Sequence, residues 1–372
     1  MRVCVATIVQ HPEHARITHR QIRALREAAH DVTFIAPFRH CNASPPPGVR
    51  AIDVPRAVGT LSRIKAIKAA RAALRQGVRD ADLLLIHDLE LLLALPGKRP
   101  PTVWDVHEDL GAEYATVERS RLIRRLAPAV IRRLERRAEQ RLHLILADES
   151  HRSRFTGDHP IVPDHAYVPQ EVPPPSDDHR IVYLGRISAA HGAVEMIELA
   201  RRLKPYGIRL DLIGEADART RPLLQEAQRT GLLDWFGHVP YPHALRMAEG
   251  ALAGLCLLRD LPLFHAPVPV KVIDYMACGL PVITTALPGP AALVERLGCG
   301  TVVPFGEPAA VAEAAARAVL RLRDDPSLRA AMGARGHAEA LLHRHWPEHA
   351  GEFVALLERW AGAEERSAAV PR

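Results

Sequence analysis

The stretch Pro269–Ile283, PVKVIDYMACGLPVI, constrains the fold of this chain more than any other. Its first apolar residues recur at three- and four-residue spacing, which predicts a short helix with one buried face. Gly279 ends that helix, Pro281 prevents its continuation, and the β-branched residues that follow predict a strand. A helix, a turn and a strand in direct succession indicate an α/β domain, with Lys271 and Asp274 beside the turn.

The same alternation of strand and helix patterns runs through the whole chain. The first half begins with the strand pattern RVCVATIV, the loop QHPEHARITH and a helix, and it continues to the strands LLLI, TVWDV and LHLILA. The second half alternates in the same way from IVYL to GTVVPF. Parallel strands need such helical crossovers, so we predict an α/β fold of two doubly wound domains, for which 372 residues are enough.

The stretch Pro269–Ile283 also resembles a known motif. Retaining glycosyltransferases of family four, which have the GT-B fold, read P-x-K-x-x-E-Y-M-A-x-G-x-P-V-I in their nucleotide-sugar-binding segment, and here Asp274 replaces the glutamate. The resemblance implies two Rossmann-like domains with parallel sheets facing a central cleft. It implies an acceptor-side domain (1–167), a linker (168–180), a nucleotide-sugar-binding domain (181–345), and a terminal helix that crosses back to the first domain before a frayed tail (346–372).

The family's G-R-L-x-x-x-K-G motif has a counterpart in GRISAAHG, from Gly185 to Gly192. The resemblance implies that Arg186 grips the donor diphosphate and that His191 replaces the lysine of the motif, both as catalytic residues. A histidine there is only partly charged near neutral pH unless the diphosphate raises its pKa. The donor-binding residues implied are Arg186, His191, Lys271, Asp274, Gly289 and Gly237.

Asp274 and Gly289 have separate expected roles. Asp274 takes the position of the second glutamate in the family's E-x7-E pair, which binds the ribose hydroxyls. The first glutamate falls at Ala266, so its contact to the sugar is missing, and Phe264 and His265 lie in the corresponding loop. Gly289 lets the backbone approach a ligand at the start of a helix, where free N–H groups point at an anion.

Two successive strands of the first half end in IHD and VHED. Ligands bind outside the carboxyl ends of strands in open α/β sheets, so we expect these side chains to lie in one site. By resemblance, His107 is a catalytic residue that hydrogen-bonds the transferred sugar; local hydrogen bonding at a strand end is the alternative interpretation. The acceptor-side candidates are His11, Arg16, His87, Asp88 and Glu108.

Positive charge is concentrated in one segment of the chain. The net charge is +6, and residues 117–141 hold nine arginines against three glutamates. The mostly helical spacing of the apolar residues there suits the anionic headgroups of a membrane surface, although a solvated helix face explains the pattern equally well. We expect one anionic surface or partner for this segment and no nucleic-acid binding.

The sequence predicts a protein of the cytoplasm, either free or peripheral at the inner face of the membrane. Its five cysteines are odd in number and form no C-x-x-C pair, its first residues lack a signal-peptide pattern, and no apolar run reaches about eighteen residues. We expect no cofactor, and no metal of the kind that the D-x-D motif of GT-A enzymes holds. HPEH and HWPEH are typical of ordinary polar histidines.

The function implied is that of a metal-independent glycosyltransferase. It would move a sugar from a nucleoside-diphosphate-sugar donor to a glycan or lipid-linked acceptor with retention, in the synthesis of cell-surface polysaccharide or glycoconjugate. Two alternatives stay open. A nucleotide-sugar epimerase of the same fold would use Glu108 and Asp109 to move protons, and a non-catalytic sugar-nucleotide-binding or scaffold relative is favoured by His191 and Ala266.

Overall fold

The chain divides into two compact units. The computed structural model describes residues 1–112, 121–172, 179–265 and 268–368. One unit is Met1–Asp164 together with the stretch that begins at Pro347, and the other is His165–Trp346. The domain boundaries inferred from the sequence motifs stay a prediction, because these units are divided by compactness alone.

A sheet of six parallel strands forms the centre of the first unit. The strands are β1 (Arg2–Ala6), β2 (Asp31–Ala36), β3 (Arg50–Asp53), β4 (Leu83–Ile86), β5 (Thr102–Val106) and β6 (His143–Leu146). Their order, β3-β2-β1-β4-β5-β6, is that of a Rossmann-like doubly wound sheet. Strands β4 and β5 are buried along their whole length, which explains the continuous apolar sequence of β4.

Helices cover the faces of this sheet. The α-helices with full bounds are α1 (Arg23–Glu27), α2 (Phe38–Cys41), α3 (Thr60–Gly77) and α4 (Arg121–Glu139), and the terminal helix is Trp346–Ala368. Two 3₁₀ segments are Leu89–Leu93 and Glu149–Arg154. The segment expected as a loop after β1 contains a π-helix, Ala15–Ile22. Its Arg16 is bound by Asp105 of β5, a partner 89 positions away that local patterns do not reveal.

A second sheet of six parallel strands forms the centre of the other unit. The strands are β7 (Arg180–Leu184), β8 (Arg209–Ile213), β9 (Asp234–Gly237), β10 (Gly254–Cys256), β11 (Val282–Thr285) and β12 (Gly300–Val303). Their order is β12-β11-β10-β7-β8-β9, so β7 lies in the interior of the sheet. Two parallel six-stranded sheets with helices confirm the predicted α/β class.

The helices of the second unit follow the predicted alternation. They are α5 (Ala193–Leu203), α6 (Arg221–Arg229), α7 (Tyr241–Ala248), α8 (Val270–Ala277), α9 (Pro288–Leu297), α10 (Pro308–Asp324) and α11 (Pro326–His343). Helix α8 is the one predicted inside Pro269–Ile283, and Gly279 follows it at a positive φ of 67°. Tyr275 ties α8 to the sheet, because its hydroxyl donates to the Leu255 carbonyl at 3.0 Å and accepts from the Leu184 N–H at 2.9 Å.

Among the helices that the structure describes, none is both long enough and apolar enough to cross a bilayer.

Candidate functional site

The carboxyl end of β7 is the centre of the candidate donor site. The turn after the strand is Gly185-Arg186, and the Tyr183 hydroxyl donates to the Arg186 carbonyl at 2.6 Å. Gly185 has a φ of +112°, a conformation that side chains rarely adopt. The backbone therefore turns sharply at Gly185 and presents Arg186 at the sheet edge, where the resemblance placed it.

Lys271 of α8 lies close to this turn. Its Nζ lies 5.1 Å from the centre of the Tyr183 ring. Burial on its own would lower the pKa of Lys271, but neighbouring Tyr183 and Cys256 raise it above its usual value, so the ammonium stays charged. Among the residues that the structure describes, no carboxylate lies within 4.0 Å of Lys271. A partly buried cation thus faces the turn without an ion-pair partner.

His191 is held beside the same turn. Its Nδ1 lies 2.7 Å from the Ser188 hydroxyl, and its ring lies 5.3 Å from the Phe264 ring in an edge-on arrangement. Burial first, and then the positive charges of Lys271 and Arg186, lower the pKa of His191 to about 3. His191 is therefore neutral at physiological pH in this structure. At the position where the family motif has a lysine, this chain thus has an uncharged side chain that can hydrogen-bond; its catalytic role stays a prediction.

Gly192 closes the motif and permits this arrangement. It precedes α5 with a φ of +82°, and a Cβ at this position would lie 2.0 Å from the Leu257 carbonyl oxygen. Only glycine fits so close an approach of two backbone segments. Packing therefore requires the glycine at the end of the GRISAAHG motif. The predicted ligand role belongs to Arg186, near the start of the motif.

Asp274 lies one helical turn from Lys271 on α8 and is buried. Its Oδ1 accepts a hydrogen bond from the Tyr241 hydroxyl at 2.6 Å. Aspartate is one methylene shorter than the usual glutamate, and Tyr241 fixes the orientation of the shorter carboxylate. Tyr241 begins α7, 33 positions earlier in the chain.

The two glycines proposed for the donor site lie at ends of elements. Gly289 is in the first turn of α9, and its N–H points to the His265 carbonyl at 3.4 Å. Gly237 ends β9, and its carbonyl accepts from the Gly214 N–H at 2.7 Å. Ala266, where the first glutamate of the family motif is missing, lies outside the described residues. The donor-binding roles of both glycines stay predictions.

A second polar cluster lies at the carboxyl end of the first sheet, around Asp105. Asp105 and Arg16 have fully buried side chains joined by two hydrogen bonds, from Nε at 2.7 Å and from Nη2 at 2.6 Å. Gln21 also donates to this carboxylate at 3.1 Å. Burial favours the neutral acid, but the Arg16 guanidinium holds the pKa of Asp105 well below its usual range. Arg16, expected on the acceptor side, is thus bound inside the unit by a strand residue.

His87 and His107 meet at this cluster, as their positions after neighbouring strands predict. Their ring centres are 5.7 Å apart, and the His87 Nδ1 lies 3.1 Å from the Asp105 carboxylate. Burial lowers the pKa of His87 against the opposing effect of Asp105. The His107 Nδ1 lies 3.2 Å from the Asp105 backbone carbonyl. Since a carbonyl oxygen only accepts, Nδ1 carries the proton and the Nε2 of a neutral His107 is an acceptor.

The other acceptor-side candidates have local partners. The Asp88 carboxylate accepts from the Thr7 hydroxyl at 3.0 Å and from backbone N–H groups that follow β1, so it holds that loop. Burial and the nearby Glu90 raise the pKa of Asp88 to about 7. Glu108 is exposed and accepts from the Gln10 side chain at 2.7 Å.

His11 is buried, and its Nδ1 accepts from the Glu13 N–H at 3.2 Å. For each of the acceptor-side residues a role toward substrate stays a prediction.

Two groups of side chains in the first unit resemble metal-binding sites. The ligand atoms of His87, Asp105 and His107 lie within 4.8 Å of one another, as in a cation site. The Arg16 guanidinium already neutralises Asp105, which disfavours a cation there. A D-x-D triplet is present at Asp80–Asp82, contrary to the sequence expectation. Asp82 binds Arg2 at 2.8 Å at the amino end of the sheet, opposite the carboxyl edge.

Sequence reasoning missed Asp105, Tyr241 and Ser188. A sequence signal for Asp105 was a carboxylate inside the otherwise apolar strand TVWDV, since a buried charge needs a partner. Ser188 stands three residues before His191 in the motif itself, a spacing that a single turn brings together. Tyr241 had no comparable signal.

Comparison with protein families bears on the second unit. Residues 167–338 match the family model of the glycosyl transferases group 1. This match covers less than half of the chain, so the chain is similar to that family over these residues. The matched residues include Arg186, His191, Lys271 and Asp274. Over 162 residues the chain is 27% identical to the putative colanic acid biosynthesis glycosyltransferase WcaL of Escherichia coli K12. That alignment covers 40% of this chain and 37% of WcaL, well below two thirds of the relative's length.

Solved structures show the same fold over nearly the whole chain. Sucrose-phosphate synthase of Thermosynechococcus elongatus superposes with a TM-score of 0.71 at 18% identity, covering 97% of this chain and 99% of that one. HepE of Anabaena in complex with UDP-glucose gives a TM-score of 0.67 at 15% identity, covering 96% and 99%. The fold of this chain is GT-B, as the sequence predicted.

Proposed function

We propose that this protein is a retaining, metal-independent glycosyltransferase. It transfers a sugar from a nucleoside-diphosphate-sugar donor to a glycan or lipid-linked acceptor in the synthesis of cell-surface polysaccharide or glycoconjugate. The similarity of residues 167–338 to the group 1 family supports the transferase class. The relative WcaL is a putative glycosyltransferase of colanic acid biosynthesis, which supports the polysaccharide context.

The position of Lys271, beside the turn after β7 and away from any described carboxylate, is the observation that carries this proposal. The ammonium is partly buried, is charged, and has no carboxylate within 4.0 Å among the described residues. A desolvated cation without a counter-charge costs free energy, which an anionic ligand recovers. Arg186 stands at the adjacent turn and adds a second positive charge. Two cations at a strand end suit the diphosphate of a nucleotide sugar.

The same two cations provide the chemistry. Negative charge grows on the diphosphate as the glycosidic bond breaks, and fixed cations stabilise that charge more in the transition state than in the ground state. Lys271 and Arg186 supply this stabilisation from the chain itself, which is why we propose a reaction without a divalent metal. Neutral His191 donates a hydrogen bond to the leaving group, oriented by Ser188.

Two further residues bind the rest of the donor in this proposal. Asp274, oriented by Tyr241, accepts hydrogen bonds from the ribose hydroxyls. His107 accepts a hydrogen bond from a sugar hydroxyl through Nε2, because its Nδ1 proton is used by the Asp105 carbonyl. The similar fold of HepE, solved with UDP-glucose, supports a nucleotide-sugar ligand. Retention rests on the resemblance of the stretch Pro269–Ile283.

A thermal-shift screen tests the donor site first. Purified protein is heated with UDP, GDP, ADP or CMP and with their common sugar conjugates, since a ligand of the native state raises the melting temperature. We expect one diphosphate to raise it and Arg186→Ala to abolish that shift. Lys204→Ala, on the same unit, is the control and keeps the shift. No shift with any nucleotide would overturn the donor site and favour the scaffold alternative.

Product analysis then tests the reaction class. The protein is incubated with the donor selected by the screen, and the sugar is followed by proton NMR. We expect transfer or slow hydrolysis with the anomeric configuration of the donor retained, and loss of most turnover in Arg186→Ala. An inverted product would overturn retention, and an isomerised donor would favour the epimerase.

A further inference from the structure

Three elements of the first unit lie on one face of its sheet. Each of the last three strand connections of the first sheet runs toward its β6 edge, namely β3 to β4, β4 to β5 and β5 to β6. Right-handed connections that run in the same direction place their connecting segments on the same face of the sheet. They carry α3, the 3₁₀ segment Leu89–Leu93 and α4. The inward residues of all three belong to one core cluster, for example Ala70, Leu91 and Ala138. Their outward residues therefore form one continuous layer.

Exposed apolar side chains are concentrated on this layer. In the described part of the first unit, the large apolar residues that are exposed all lie on these elements or directly before α3. Leu61 is 78% exposed and Leu126 is 53% exposed, and exposed apolar side chains that cluster on one surface, unlike single ones, indicate an interaction site. The others are Val58, Ile64, Leu93 and Val130.

Basic residues surround these apolar side chains. Residues 60–79 contain six arginines and lysines and no carboxylate. On α3, Lys65 and Lys68 are exposed and make no ion pair within the described chain. On α4 the same holds for four exposed arginines, whereas Glu135 and Glu139 are occupied by other partners. These arginines are Arg125, Arg133, Arg136 and Arg137.

The positions of these residues follow helical spacing. Leu61, Ile64, Lys68 and Arg71 succeed one another at three- and four-residue steps, so they form one stripe along α3. Arg71 at the end of this stripe donates to the Leu93 carbonyl at 3.1 Å, which joins the stripe to the 3₁₀ segment. The apolar and basic residues are thus interleaved on one surface and not separated into two patches.

We propose that this surface, called here the α3–α4 surface, docks the protein on a bilayer that contains anionic lipid. Exposed leucine, isoleucine and valine enter the boundary between headgroups and acyl chains, while lysine and arginine meet the lipid phosphates. The uncompensated positive charge decides between a lipid surface and a second copy of this chain, because two such surfaces would repel each other.

This surface extends beyond the basic segment 117–141 that the sequence singled out. Of that segment, only α4 contributes here, and residues 117–120 lie outside the described residues. Helix α3 supplies the most exposed leucine and two lysines, and its charge pattern had been assigned no function. The inference is independent of the proposed transferase activity, since neither the donor-site residues nor His107 belong to the surface.

Vesicle co-sedimentation tests the proposal with the full chain. The binding of wild-type protein to vesicles of phosphatidylglycerol and phosphatidylcholine is compared with its binding to phosphatidylcholine alone. We expect strong binding only to the anionic vesicles. Each cation near an anionic membrane contributes about 1 kcal/mol, or about fivefold in binding. Replacing Lys65 and Lys68 by glutamine should therefore weaken binding about twentyfold, and Leu61→Ser with Ile64→Ser about tenfold.

Matched controls use exposed residues of the second unit. Leu223→Ser with Leu342→Ser removes two exposed leucines elsewhere, and Arg321→Gln removes an exposed charge; neither change should alter vesicle binding. Thermal melts of each variant confirm that it is folded. Arg133→Gln with Arg137→Gln should weaken binding about as much as the α3 lysine pair.

Three outcomes would overturn the inference. One is equal binding of wild-type protein to both kinds of vesicle. Another is unchanged binding in folded variants of both α3 and α4. The third is a dimer, measured by light scattering, that the Leu61→Ser and Ile64→Ser pair dissociates while vesicle binding persists, since the apolar residues would then belong to a protein interface.

Discussion

The polar residues at the carboxyl ends of the two sheets balance their charges differently. In the first unit the buried side chains of Arg16 and Asp105 meet at 2.6 Å, and burial lowers the pKa of the neighbouring His14 and His87. In the second unit Lys271 lies over Tyr183, and no described carboxylate is within 4.0 Å of it. Asp274, on the same helix as Lys271, accepts a hydrogen bond from a tyrosine hydroxyl.

This difference indicates that the charges around Asp105 stabilise the fold, whereas we expect the charge of Lys271 to bind a ligand. Removing one member of a buried ion pair leaves the other uncompensated and destabilises the protein. Removing a cation that has no carboxylate partner costs little stability but removes the group that meets an anion. Substitutions at the first cluster should therefore change stability, and substitutions at the second should change ligand binding.

Asp105→Asn should have the largest effect. It leaves the Arg16 guanidinium buried without its counter-charge, and we expect the free energy of unfolding to fall by about 3–5 kcal/mol. Urea denaturation measures this change. The matched substitution Asp274→Asn should lower stability by less than about 1 kcal/mol, because the amide oxygen of asparagine can still accept the hydrogen bond from the Tyr241 hydroxyl. Equal losses in the two variants would remove the distinction between the clusters.

Lys271→Met should act on binding alone. Losing a charge-assisted contact of about 1.5–3 kcal/mol should weaken binding of the nucleoside diphosphate by about 10- to 100-fold, as measured by calorimetry. The unfolding free energy should stay the same or rise, since a desolvated charge is removed. Lys204→Met, at an exposed lysine of the same unit, should change neither quantity. Destabilisation comparable to that of Asp105→Asn would assign Lys271 a structural role.

In the absence of a ligand, lowering the pH should reduce the stability of the protein equally through His14 of the first cluster and His191 of the second. Burial lowers the pKa of both His14 and His191 to about 3. Between about pH 6.5 and pH 3 the unfolded chain binds protons that the folded chain does not, so stability falls as pH falls. Each histidine should cost about 2 kcal/mol at a pH of about 5.

The substitutions His14→Gln and His191→Gln separate these two contributions. Each should reduce the stability lost between about pH 7.5 and pH 5, as measured by urea denaturation at both values. With saturating nucleoside diphosphate, His14→Gln should still reduce the stability lost on acidification. His191→Gln should no longer reduce it, because the diphosphate raises the pKa of His191. If His191→Gln behaves identically with and without the nucleotide, His191 does not face the diphosphate.

Tyr241→Phe should have the smallest effect. It removes the hydroxyl that orients Asp274, and we expect affinity for a ribonucleotide to fall about fivefold, or about 1 kcal/mol. The corresponding deoxynucleotide should bind the variant and the wild type alike. Tyr206→Phe, at an exposed tyrosine, is the control. A loss that is equal for both nucleotides would separate Tyr241 from ribose recognition.

Much of the fold was predictable because its signals are local. The period of apolar residues and the glycine that ends α8 predicted the helix, turn and strand around Lys271. The succession of strands also predicted that His87 and His107 would be neighbours, and their rings lie 5.7 Å apart. The first five residues of the π-helix that carries Arg16 were expected to be a loop, because the anchor of Arg16 is 89 positions away.

The sequence identified which residues belong to the candidate site more readily than it indicated what each residue does there. Motif positions identified Arg186, His191, Lys271 and Asp274, and these roles stay predictions until the donor is tested. The motif could not indicate that Tyr241 orients Asp274 across 33 positions. It also could not indicate that Asp105 determines which nitrogen of His107 carries the proton.

The sequence by itself determined the alternation of strands and helices, the turn after α8 and the residue types available at the sheet edges. Only the tertiary structure decided which charges are compensated: Arg16 by Asp105, but Lys271 by no carboxylate of the described chain. It also decided that His191 is neutral. The physical reason is that a pKa and an ion pair depend on burial and on distances of a few ångströms to other charges. Those distances exist only after remote segments of the chain have come together.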